Sequence, residues 1–437
     1  MEISESPSIL HDKIPPVKRL SRYRTWILPI LAACALSSGA GMDGIAFGGQ
    51  AEPPTYQSAT VCAQCHPEIY RTWLSSQHAR AFTDPAFQLP YDRIRRSTPG
   101  KTLACEQCHN PMRFLLAPGD PRAAIFAQEG VTCDFCHSVE SVNISGPFPR
   151  YRARPGVKYG PRGGEPGKTV HTTRFSGLHI RSEFCAGCHE FKNAFGVSIL
   201  ATYSEWAESF YRGEGVHCQF CHLPQLFDAR FIGPGKKNTG PLDHAMVGGH
   251  SRERLAKAIP VRATLKVSGS EARVTVLLKN DLVGHKTPSG IPTHRLRLTS
   301  TLYDTSGNAL GRKEDVFERV VGDGTGKPME RPELIFTAAR EVLKDNRIEP
   351  KETRKISHVF ALGNAKPATA EVALTYEIPT PDIAPGLRMI EIPVSRAVIP
   401  VKPAISAVTT ALIALAAVAA LLAVVLHLRR RSTGTGT

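Results

Sequence analysis

From Ile259 onward the chain alternates apolar and polar side chains in short runs. Arg262–Ser268 reads R-A-T-L-K-V-S and Arg273–Lys279 reads R-V-T-V-L-L-K, the period of two that half-buried strands show. Similar runs at Arg295–Tyr303, Thr353–Leu362, Ala370–Tyr376 and Met389–Val394 are separated by Gly, Pro, Asn and Asp. Together they predict an all-β, sandwich-like domain over residues 259–402, with a modest insertion around Phe336–Leu343. Residues 58–258 carry little regular pattern by comparison. Tyr70–His78 reads as a short amphipathic helix. Pro147–Gly167, rich in Pro and Gly and carrying Arg152, Arg154, Lys158 and Arg162, reads as a surface loop open to an acidic partner.

Two apolar runs flank these regions. Trp26–Leu36 follows Lys13, Lys18, Arg19, Arg22 and Arg24, the order of charge and apolar stretch in an export signal, so residues 1–51 are expected to direct export. Gly49-Gln50-Ala51 offers a cleavage site before Glu52. Leu31–Cys34 alternatively resembles a lipobox with Cys34 as the lipidated residue. Near the other end, Ala404–Leu428 is broken only by Ser406, Thr409, Thr410 and His427. About 20 apolar residues span a bilayer, so residues 404–428 predict one C-terminal transmembrane helix. Arg429, Arg430 and Arg431 then make 429–437 a cytoplasmic tail.

Length 437, 42% hydrophobic and 21% charged residues fit two or three folded domains and exclude a disordered or fibrous chain. The net charge of +15 points first to nucleic acid or an anionic membrane face. The cysteines change that picture.

Ten of the 11 cysteines form five Cys-x-x-Cys pairs, each followed at once by His. The pairs are Cys62 and Cys65, Cys105 and Cys108, Cys133 and Cys136, Cys185 and Cys188, and Cys218 and Cys221. The histidines are His66, His109, His137, His189 and His222. With 16 His among 437 residues, five such coincidences have a chance probability on the order of 10⁻⁷. Zinc ribbons, disulfide scaffolds and thioredoxin-like sites leave those histidines unexplained. The spacing is that of covalent c-type haem attachment: two thiols reach the porphyrin vinyl groups and the adjacent imidazole takes the iron. Five covalently bound haem c groups are therefore expected. Their propionates add roughly −10 of charge, which removes most of the case for nucleic acid. With gaps of 43, 28, 52 and 33 residues between successive first cysteines (positions 62, 105, 133, 185 and 218), there is no fixed repeat. Residues 58–258 are thus a domain whose core is its haems.

Nine further histidines are available as sixth ligands: His78, His171, His179, His217, His244, His250, His285, His294 and His358. The expected distal set is His78, His171, His179, His244 and His285. Within the pairs 171/179 and 244/250 one ligand each is the favoured count. His285 lies in Gly284-His285-Lys286-Thr287-Pro288-Ser289-Gly290, a tight loop that can deliver an imidazole to the preceding domain. His217 abuts Cys218 and His358 sits in a strand, so neither is chosen. Methionine candidates are few, and Met112 lies too close to His109 to cross its own haem.

Cys62–Phe82 (CAQCHPEIYRTWLSSQHARAF) strongly resembles the opening haem segment of the cytochrome c-554-type multihaem cytochromes. Gly130–His137, Glu183-Phe184-Cys185 and Tyr203-Ser204-Glu205-Trp206 match wording common in that group. The His285 loop is similar to an element of relatives that carry a β domain. The resemblance covers roughly residues 58–300. It implies electron transfer, closely stacked haem pairs and mostly bis-His ligation. The chain departs from the nitrifier tetrahaem protein in having five haems, a β domain and a tail anchor.

The resulting expectation is a membrane-anchored pentahaem cytochrome on the periplasmic side of the bacterial inner membrane. It would pass electrons between a membrane quinol-oxidising complex and a periplasmic acceptor such as another cytochrome. The alternative is an oxidoreductase with one open haem, at the second or third motif, acting on a small nitrogen or sulfur oxide. Every motif ends in His, so the Cys-x-x-Cys-Lys site of pentahaem nitrite reductases is absent. A third possibility is a subunit of a larger complex, packed through Ala416, Ala419, Ala420 and Ala423.

Overall fold

The computed structural model describes residues 55–98, 100–146, 150–163, 170–224, 243–384, 387–401 and 415–424. The export segment, Cys34 and most of 404–428 lie outside them; residues 415–424 are helical and exposed. Among the described residues no helix is long and apolar enough to cross a membrane.

Residues 55–258 fold into short helices joined by turns, the longest being Pro85–Ser97 at 13 residues. Caps start several of them. Ser58 accepts from Thr60 N, and Asp84 accepts from Ala86 N with Pro85 in the first turn. Three small ribbons complete this region. Strand β1 (Val139–Asn143) pairs antiparallel with β2 (Arg150–Ala153), β3 (Val157–Gly160) parallel with β4 (Thr172–Phe175), and β5 (Glu190–Lys192) antiparallel with β6 (Ser198–Ala201). The Pro147–Gly167 segment is therefore not simply a surface loop. It holds β2 and β3, Val157 and Tyr159 are buried, and Lys158 turns inward to pair with buried Asp134. Alternation over only four residues is too short to separate such ribbons from a loop by sequence.

The C-terminal region is two sheets over one core. It comprises β7 (Val261–Ser268), β8 (Glu271–Lys279), β9 (Arg295–Asp304), β10 (Ala309–Gly322), β11 (Glu341–Asp345), β12 (Thr353–Ala361), β13 (Pro367–Ala384) and β14 (Leu387–Pro400). One sheet runs β11-β10-β9-β13-β14 and the other β12-β8-β7. Ala272, Val274, Val276 and Leu278 of β8 point inward, as do Leu296, Leu298 and Leu302 of β9 and Val372, Leu374 and Tyr376 of β13. Each buried Val or Leu contributes about 1.5–3 kcal/mol relative to exposure. The insertion near residue 336 is a helix, Pro332–Ala338, followed by β11. Strand β10 is not among the runs the alternation marks, because its charged run Arg312–Asp315 masks the period of two.

The described residues belong to one compact unit. A second core joins the two regions, with Val197 and Ile199 from β5–β6 packed against Val321, Ile335 and Ala339. Asn193 Nδ2 donates to the Ala339 carbonyl at 2.7 Å across that seam.

Candidate haem centres

Four motifs form or end a short helix, Leu103–His109, Cys133–Ser138, Glu183–His189 and Cys218–His222, and the first starts in helix Ala59–Ala63 and runs into the turn after it, where Cys65 N and His66 N donate to the Cys62 carbonyl. In a helix the i and i+3 side chains share a face, so both thiols of a pair point the same way with the histidine just beyond. Eight of the ten cysteines line one continuous cavity of about 2090 Å³. That exceeds the roughly 300–1,000 Å³ of an ordinary ligand pocket. Gln219 and Leu223 bring the fifth motif to its edge. Thiols of different motifs neighbour one another: Cys62 and Cys133, Cys108 and Cys188, and Cys185 and Cys218. Burial pushes the Cys136 thiol up to about 12.

The imidazoles are oriented by the backbone. Nδ1 of His109 lies 2.6 Å from the Ala81 carbonyl, that of His137 2.7 Å from Tyr159 and that of His222 3.0 Å from Val247. His285 repeats the pattern with Lys286 at 2.9 Å. An Nδ1–H donated to a carbonyl leaves Nε2 bare, which is the tautomer a metal ligand needs. Burial lowers these pKa values, to about 4 for His137 and His222 and to about 3 for His78, so the rings are neutral at neutral pH.

Two imidazoles bound trans to one metal at roughly 2 Å each, plus about 1 Å from nitrogen to ring centre, put the centres about 6 Å apart. His66 and His171 are 6.4 Å apart, His78 and His189 6.1 Å, and His137 and His244 6.3 Å. The sequence separations, 105, 111 and 107 residues (171 − 66, 189 − 78, 244 − 137), explain why the pairing was not legible before folding. His285 is half-buried, and after burial its charge is the largest influence lowering His222. The cavity and these separations fit haem, with the motif cysteines and histidines as its holders. Among the described residues no cluster of three His, Cys, Asp or Glu side chains is arranged to hold a bare metal ion.

His78 is not on the expected amphipathic helix. That helix is Pro67–Leu74, ended by the turn in which Ser76 is buried, and His78 follows it. Trp73 Nε1 donates to the Val131 carbonyl at 3.0 Å and Val131 N to the His78 carbonyl at 2.9 Å. Gly130, at φ +59°, makes this approach possible, since a Cβ there would lie 2.6 Å from the His78 oxygen. His179 also lies near His137, at 5.9 Å, but its Nε2 is 2.9 Å from the Cys136 carbonyl and its Nδ1 is buried without a partner. Phe87 stacks on the His109 ring at 3.8 Å and 12°, and among the described residues no imidazole makes a ring contact with His109 or with His222.

The unchosen candidates take other places. Ser182 donates to His217 Nδ1 through N and Oγ, His358 pairs with Asp315 at 2.7 Å, and Met112 is a fully buried core residue. His294 lines the cavity, its Nδ1 near the Ser289 carbonyl and the Tyr376 hydroxyl. Tyr151 packs into the fourth motif, where a Cβ on Gly187 would fall 1.9 Å from its hydroxyl. Neither contact has a sequence signature. The same holds for Glu205, held by Arg347 and raised in pKa by burial.

The family model described as "Cytochrome c554 and c-prime" matches residues 61–138. The crystal structure of a penta-heme cytochrome c552 from Thermochromatium tepidum is similar over 79% of this chain and 99% of its own, at 25% identity and a TM-score of 0.65. A Bacteroides uniformis beta-glucuronidase 2 structure aligns at a TM-score of 0.14 and 14% identity, covering 32% of this chain and 12% of its own, too little to indicate a shared fold. No curated protein matches the chain.

Proposed function

The chain belongs to the multihaem cytochrome c family, and on that premise we propose that it is an exported, membrane-anchored electron carrier with five covalently bound haem c groups. The observation that carries this reading is the set of imidazole pairs 6.1–6.4 Å apart at three of the five motifs. In it, His66 with His171, His189 with His78, His137 with His244 and His222 with His285 would each hold one haem iron. A bound haem supplies a one-electron iron couple whose potential its axial ligands set. The protein's part is to hold both ligands fixed, keep them neutral by burial and leave no coordination place for a substrate. The thiol contacts put the first motif beside the third and the fourth beside both the second and the fifth. The fourth site is then the hub of the array.

Residues 404–428 would anchor the protein, with 429–437 in the cytoplasm and the haems on the periplasmic side. The length of the apolar run and the Arg429–Arg431 flank support this. Its partners would be a membrane quinol-oxidising complex or a periplasmic cytochrome, and not nucleic acid. Electron paramagnetic resonance of the oxidised protein tests the core of the reading. Low-spin ferric signals from at least four haems are expected. A spectrum dominated by high-spin iron rejects the carrier. Membrane release on truncation after Pro403 tests the anchor.

A second reading starts from the second motif, where no imidazole among the described residues makes a ring contact with His109; it would be the place for an open site acting on a small nitrogen or sulfur oxide. One high-spin haem per chain whose signal shifts with nitric oxide would select it.

A further inference from the structure

We propose that the buried Glu205–Arg347 pair positions His285, holding its loop so that the imidazole stays on the iron gripped by His222; this rests on the axial reading above. Glu205 stands on the helix Thr202–Ala207 of the haem region, and Arg347 follows β11 in the β region. Their side chains are 6% and 5% exposed, with Oε1 2.7 Å from Nη2. Between them they take hold of the loop at three polar points. Glu205 Oε2 accepts from Lys286 N at 3.2 Å and from Ser289 Oγ at 3.4 Å, while Arg347 Nη1 donates to the Pro288 carbonyl at 3.2 Å. Asp345 fixes the guanidinium by two bonds of 2.8 Å, and Thr202 Oγ1 meets Ser289 Oγ at 2.7 Å.

The other side of the loop is tied to the sandwich. Thr287 and Ile348 exchange backbone bonds of 2.9 Å, and Asn280 Nδ2 donates to the His285 carbonyl at 3.2 Å. These ties fix the backbone within the β region. Among the described residues only Glu205 and Thr202 tie the loop's polar groups to helix Thr202–Ala207, whose Trp206 Nε1 donates to the Val216 carbonyl at 2.8 Å just ahead of the fifth motif. A buried ion pair adds little stability over an apolar replacement. It does hold two elements in one register, which is what a ligand shared between two regions requires.

The test uses the haem-loaded full chain and reads spin state and carbon monoxide uptake by the reduced protein, both relative to the parent. His285→Gly is expected to add up to about one carbon monoxide equivalent and one high-spin haem per chain. Glu205→Ala is expected to add a large part of the same equivalent, with the other four haem signals unchanged, and Glu205→Gln to restore most of the loss. If His285→Gly gains the equivalent and Glu205→Ala stays parental, the proposal is overturned. If His285→Gly itself stays parental, the axial reading is what fails. Should Glu205→Ala not accumulate, Ser289→Ala decides, since it cuts a tie without stranding a charge. A partial high-spin signal or severalfold faster carbon monoxide uptake supports the proposal, and parental behaviour overturns it.

Discussion

The haem region and the β region bury their apolar residues in opposite ways. Around the sandwich nineteen buried side chains form one cluster, drawn from both sheets and their connections together with Leu255 of the preceding helix Arg252–Ala258. The largest cluster wholly within the haem region has six, around Met112 and Phe126, beside a cavity of about 2090 Å³. One region carries its own core. The other is a shell of short helices around a cavity into which the motif histidines and cysteines converge, so its stability is tied to the group they hold. Covalent attachment suits such a region, because a thioether-bound group cannot leave the core it constitutes.

The sharpest way to break that contrast is to remove one filling. Cys185→Ala with Cys188→Ala deletes attachment at the hub, and the loss is expected to exceed about 4 kcal/mol in the haem region. Hydrogen exchange should show amides of 58–224 losing protection while β8 and β9 keep theirs; equal loss in both regions would make the sandwich dependent on haem as well. Next comes Lys158→Met, which leaves Asp134 buried and unpaired with a cation. Removing one partner of a buried pair costs about 3–5 kcal/mol. Denaturant unfolding followed through haem absorbance should report it, and a change below 1 kcal/mol, on the order of a surface pair, would show that Asp134 needs no cation.

The converse change is Leu298→Ala in the sandwich, worth about 2–5 kcal/mol as a cavity in a packed core. Global stability should fall with the haem spectrum unaltered, so a spectral shift would show that the two regions are not separable in this way. The smallest expected effect is pH-dependent. Burial lowers the His294 pKa from its usual value to about 4. Between those values the unfolded chain binds the proton and the folded chain does not, so stability is complete above about pH 6.5 and falls as pH drops towards 4. With about 1.4 kcal/mol per unit, the loss is about 3 kcal/mol. His294→Gln should flatten that part of the unfolding profile, and an unchanged slope would assign it to other groups.

The two regions also differed in how much of them could be read before folding. Alternation located most of the sandwich strands, since Val274, Val276 and Leu278 announce their face by spacing alone. It failed at β10, where Arg312–Asp315 run along an exposed stretch. In the haem region the motifs were legible because attachment chemistry is local, with two thiols and an imidazole inside five residues. The surroundings were not. Lys158 looked like a loop cation and is an internal one, and His78 lies in a turn rather than on a helix.

What the sequence by itself determined is the number and place of the Cys-x-x-Cys-His sites, since covalent bonding to one macrocycle is satisfied within a helical turn. Only the tertiary structure decided which imidazole faces which. His171 comes to His66, His78 to His189 and His244 to His137 across more than a hundred residues. Such meetings depend on the whole packing of Trp73 on Val131, of the β3 ribbon on the third motif and of the His285 loop on Glu205. No spacing rule encodes them, because axial pairing is a relation between elements and not a property of either one.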